Sequence, residues 1–70
     1  MTFFEWLQAQ VDRSDPVGDI ARDIIEDARA NALTYKTCGE WVRRVQSEGG
    51  SERAMAALDR ARREYEARPK

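Results

Sequence analysis

Apolar residues return every three to four positions along this chain, and nowhere do they alternate with polar ones over the length of a strand. A period near 3.6 residues marks amphipathic helices, so the pattern predicts an all-α protein. Four helical segments can be read. In the first, Phe3, Phe4, Leu7 and Val11 fall on one side, with Trp6 beside them. Thr2 followed by Glu5 is a capping box, in which a hydroxyl and a carboxylate satisfy amide donors that the first turn leaves unpaired. This helix is expected to close near Asp12 or Arg13.

The second segment, "DPVGDIARDIIEDA" from residue 15 to 28, has the best-marked start. Ser14 or Asp15 supplies an N-cap oxygen, and Pro16 suits the first helical position, where its missing N–H costs nothing. Val17, Ile20, Ala21, Ile24, Ile25 and Ala28 form one apolar face, and the period is lost around Arg29 to Asn31. A second capping box, Thr37 to Glu40, opens a third helix with Trp41, Val42 and Val45 as its stripe. Gly49 and Gly50 stop it, as a pair suited to a left-handed C-cap. Ser51 then caps a fourth helix with a stripe of Ala54, Met55, Leu58, Ala61 and Tyr65, and Pro69 marks its end.

Isolated helices below roughly 12–15 residues are marginal in water, so these faces must pack together. The expectation is a single helical domain over residues 1–68, a compact orthogonal bundle of four short helices, with a frayed end at residues 69–70. Its core should include Phe3, Phe4, Leu7, Val17, Ile20, Ala21, Ile24, Trp41, Val45, Leu58 and Tyr65. Leu33 and Tyr35, in the connection "ANALTYK", should tuck against the core edge.

Composition narrows the function classes. Charged residues make up 36% of the 70 positions against 41% hydrophobic, with a net charge of −1, which suits a globular domain and not a disordered tail or a polycation. No stretch approaches the ~18 uninterrupted apolar residues of a membrane span. The beginning "MTFFEWLQAQ" carries Glu5 and no basic stretch, unlike a secretory leader. A single cysteine, Cys38, precludes an internal disulfide. Together these features give a cytoplasmic expectation with no membrane partner.

Catalytic chemistry finds little to work with. The chain has no histidine, so the commonest general base and the Ser–His and Cys–His pairs are missing. Cys38 stands at a helix start, where amide dipoles lower a thiol pKa, although a small residue there needs no such role. One cysteine without histidine does not make a zinc site, and the four glycines form no phosphate-cradling motif. We expect no enzyme activity, no cofactor and no metal.

Charge placement offers two candidate surfaces. Asp19, Asp23 and Asp27 recur every four residues on one flank of the second helix, with Glu26 adjacent. Like charges at that spacing repel by a few tenths of a kcal/mol per pair, so helix stability alone does not explain them. They read as a solvated face, as a docking surface for a basic partner, or as a carboxylate site lacking an enclosing cage. The second half is richer in basic groups: residues 36–70 carry nine against six acidic, and residues 1–35 carry three against seven. Arg43, Arg44, Arg53, Arg60 and Arg63 are therefore the alternative, a nucleic-acid-binding set. Asp59 is placed to pair with Arg63 and to dilute it. Arg62 falls on the core side of its helix, where its stem can lie on apolar surface with its head in water. The charge asymmetry also permits weak self-association of an otherwise monomeric chain.

The aromatic start Phe3, Phe4, Trp6 and Leu7 and the motif Asp15, Pro16, Gly18, Asp19, Ala21 and Asp23 resemble the small bacterial YozE-like proteins, whose domain is similar to the sterile alpha motif. The resemblance runs in order and spacing along nearly the whole chain. The Phe-Pro pair usual after the second helix is absent from "ARANALTYK", and Arg62 stands where a Trp is common. Membership as a divergent relative implies a four-helix fold in a bacterial or phage protein, and transfers no functional residues. The charged surfaces, chiefly Asp19, Asp23, Glu26 and Asp27, give the functional expectation, a non-enzymatic protein–protein interaction module. A phage- or prophage-encoded inhibitor of a host protein is a third reading.

Overall fold

Thr2 opens the first helix as its capping box requires: in the computed structural model, which describes residues 1–69, its hydroxyl accepts from the Glu5 amide at 3.1 Å and its amide donates to Glu5 Oε1 at 2.9 Å. Helix α1 spans Phe3–Gln8, α2 Pro16–Asn31, α3 Cys38–Ser47 and α4 Glu52–Ala67, with no strand among the described residues. The protein is an all-α four-helix bundle. Asp15 is the N-cap of α2, Thr37 of α3 and Ser51 of α4, each accepting a bond from the amide three residues on.

Helix α1 closes at Gln8, four or five residues before its expected end. After Gln8 the amides of Ala9, Gln10 and Arg13 bond to carbonyls three residues back, so the chain tightens into successive turns. Arg22, reaching across from α2, donates to the Val11 and Arg13 carbonyls at 2.6 and 2.9 Å and satisfies the acceptors that these turns leave free. At the other loop, Gly49 adopts φ +76°, and the Gly50 and Gly49 amides bond to the Val45 and Gln46 carbonyls at 2.9 and 3.1 Å. That is a Schellman motif, the stop expected from the glycine pair. Helix α4 ends at Ala67 with Arg68 extended; of the end expected at residues 69–70, Lys70 lies outside the described residues.

The long helices α2 and α4 pack against each other, α1 crosses both at one end, and α3 rests on α4. Trp41, Phe3, Leu7, Ile24, Leu58 and Val17 are the largest fully buried side chains. Ala28, Ala57 and Ala61 join them, as does Trp6. Phe4, Val45 and Tyr65, expected inside, are only partly covered, and Ile25 is half-exposed at the margin of the α2 face. Tyr65 stays at the edge because its hydroxyl donates to the Met1 carbonyl at 2.7 Å. Its ring meets Phe3 and Trp6 edge-on at 5.4 and 5.9 Å, and the Arg68 guanidinium lies 3.9 Å over it. Leu33 and Tyr35 pack on the core as expected. The loop is pinned by the Phe4 amide, which donates to the Lys36 carbonyl at 3.2 Å, and by Trp41 Nε1, which donates to the Tyr35 carbonyl at 3.1 Å.

Candidate functional site

Arg13 links the start of α2 to α4. Its guanidinium, at the turn before α2, bonds Asp15 at 2.6 Å, Glu64 at 2.7 Å and Gln10 at 3.2 Å. Arg60 adds a bond to Glu64 at 3.3 Å and stands 3.9 Å from Asp15. The start of α2 is thus clamped beside residues 60–64 of α4. The hydrogen bonds from Arg13 hold both the Asp15 and the Glu64 carboxyls below the usual range. The turn can sit this close because residue 18 is glycine: a Cβ there would meet the Arg13 carbonyl oxygen at 2.0 Å.

Beyond the clamp an open groove of about 560 Å³ runs between the two helices. Asp19 and Asp23 of α2 form one wall, Arg53 and Arg60 of α4 the other, and Ile20, Ala54 and Ala57 line its floor. Residues from both sequence-derived candidate surfaces therefore meet across a single concave face. The arrangement follows from the sequence locally: Ile20 and Ala57 face the core, so the polar residues flanking them border the seam where the helices meet.

The expected acidic ridge does not hold together as one flank. Asp27, eight residues beyond Asp19, is rotated about 80° around the helix and faces α3. There it accepts from Arg44 Nε at 2.9 Å and Nη2 at 3.0 Å, and from Asn31 Nδ2 at 2.7 Å. Arg44 in turn holds the Asp27 carboxyl below its usual range. Glu26 lines a different hollow, with Val11, Arg22 and Ile25. Asp19 pairs with Arg22 one turn on.

The basic set is dispersed as well. Arg44 is taken by Asp27 and by Glu48 at 2.7 Å, and Arg63 by Asp59 at 2.9 Å. Among the described residues, no ion pair forms at Asp23, Glu26, Arg43 or Arg53. Arg62 bonds Asp59 at 3.0 Å and borders a shallow hollow with Cys38, Met55 and Leu58, its head exposed as expected. Burial pushes the Cys38 thiol up, so its place at a helix start does not activate it. No cluster of three or more acids or thiols suited to a metal occurs among the described residues. No helix among them is long and apolar enough to cross a membrane.

Arg13 and Ala57 of the floor were not singled out by the sequence. Arg13 and Glu64 lie 51 positions apart, and nothing in the local pattern joins them. The floor was partly legible, since Ala54 belongs to the α4 stripe, whereas Ala57 does not fall in that reading. What the groove offers chemically is recognition: two walls of opposite sign over small apolar side chains. Comparison with known proteins gave no match to a family model, a curated protein or a solved structure.

Proposed function

We propose that this chain is a non-enzymatic protein–protein interaction module that docks its partner in the α2–α4 groove. The observation that carries the reading is the groove itself, with Asp19 and Asp23 facing Arg53 and Arg60 across an apolar floor. Paired walls of opposite sign orient a partner and reject one of the wrong polarity, because like charges brought together cost several kcal/mol. Concave shape supports docking better than a flat charged helix would. The YozE-like, sterile-alpha-motif-like assignment belongs to the same proposal, supported by the order of four helices and by the Asp15–Pro16–Gly18 start.

Affinity capture from the source organism tests it. The wild-type chain is compared with Asp19→Asn/Asp23→Asn and with Arg53→Gln, and each is checked for helical content. Wild type is expected to retain a protein, a further copy of itself included, that both variants lose. Retention of the same proteins by all three removes the groove from the interaction. Nucleic-acid binding receives less support, because Arg44, Arg60 and Arg63 already hold internal carboxylates.

A further inference from the structure

We propose that the partner fitting this groove is a second copy of the chain, in a symmetric dimer whose two-fold axis runs along the groove. The proposal rests on the docking reading above and adds the partner's identity. Rotation by 180° about an axis lying along the groove brings the acidic wall of one copy over the basic wall of the other. The same contact then repeats on the second side, as an isologous interface requires. Asp19 and Asp23 of each copy would face Arg53 and Arg60 of its mate. An axis lying across the groove would set acid on acid and base on base. Charge therefore selects one of the two face-to-face dockings.

Two further points support pairing with a copy. Asp23 and Arg53 stand in opposite walls without an internal ion pair among the described residues, so pairing these two across the interface breaks nothing, while Asp19 and Arg60, held by Arg22 and Glu64, add their charge to the walls. A foreign partner would need two rows of opposite charge at the same separation as the walls, and the chain carries that spacing already. Because the contacting charges are solvent-facing, the dimer is weak and sensitive to salt.

Sedimentation equilibrium of the full chain tests this. At low ionic strength the apparent mass is expected to approach twice that of the monomer as concentration rises. It should return to the monomer value at about 1 M salt, where the screening length is ~3 Å. Asp19→Lys/Asp23→Lys has two basic walls and Arg53→Glu/Arg60→Glu two acidic ones. Each is expected to stay monomeric alone, and an equimolar mixture to form a heterodimer. Arg60 also holds Glu64, so Arg53→Glu alone replaces the second variant should circular dichroism show that it unfolds. A wild-type chain still monomeric at low salt and about 1 mM, the weak end of specific association, overturns the proposal. So does a dimer unchanged by either reversal. If wild type is monomeric yet captures a foreign protein that the groove variants lose, self-pairing falls and the docking groove stands; if it captures none, both fall.

Discussion

Glycine inside a helix costs about 1 kcal/mol relative to alanine, and at position 18 the packing makes that cost necessary. A methyl group there would stand 2.0 Å from the Arg13 carbonyl oxygen and 2.7 Å from its carbon, both backbone atoms that cannot swing aside. Gly18→Ala is expected to lower stability by about 2 kcal/mol net, overpacking exceeding the gain in propensity, with a fall in Tm of about 10 °C. Ala32 is the converse case. It ends α2 at φ 53°, where a side chain crowds the following carbonyl. Ala32→Gly should raise stability by about 1 kcal/mol, read as a higher midpoint in urea. Neither site was legible in the sequence. A helical glycine reads as a weak point until the neighbouring turn is placed, and the left-handed stop falls on an alanine that carries no such signal. The Leu33 amide bonding to the Ala28 carbonyl at 2.9 Å, and the packing of Leu33, hold that stop instead.

Helix starts were the most legible elements, because an N-cap is a local bargain between one side chain and an amide three residues on. Thr2, Asp15, Thr37 and Ser51 all act as read. The end of α1 was not legible: Val11 keeps helical spacing, yet it packs from a turn whose carbonyls Arg22 takes from eleven residues away. Periodicity also could not tell which polar residue meets a neighbouring helix, and so left Asp27 on the outside. That residue matters for α3, whose only fully buried side chain is Trp41. The bidentate Arg44–Asp27 contact ties α3 to α2. Arg44→Ala is expected to speed amide hydrogen exchange across residues 38–47 several-fold and to leave the centre of α2 protected. Equal loss of protection in both helices would mean that the contact holds the whole fold, not α3 alone.

At the scale of the molecule, the all-α class and the order of four helices were readable, whereas the groove was not. Its acids and bases were visible as two separate sets, and only the seating of α2 on α4 makes them opposite walls. The packing of α2 on α4 and of α3 on α2 depends on pH. Asp15, Glu64 and Asp27 have folded-state pKa values below their usual range because arginines bond them. The unfolded chain therefore binds protons more readily, and the stabilisation is full above the unfolded carboxylate values near 4. It is lost as pH falls through the lower, folded values. Urea midpoints should hold near neutrality and drop steeply below about pH 4. A Glu64→Gln variant, which loses one of these partners, should show a shallower drop. The contact of Tyr65 with Met1 bears on topology as well as packing. With Phe3, Trp6, Tyr65 and Arg68 in one patch, the backbone is in space almost a ring, and the order in which its helices follow one another depends on where that ring is opened. A short Gly/Ser bridge from the end of α4 back to Met1, with new ends cut between Gly50 and Ser51, should therefore yield a permuted chain of the same fold, melting close to the parent.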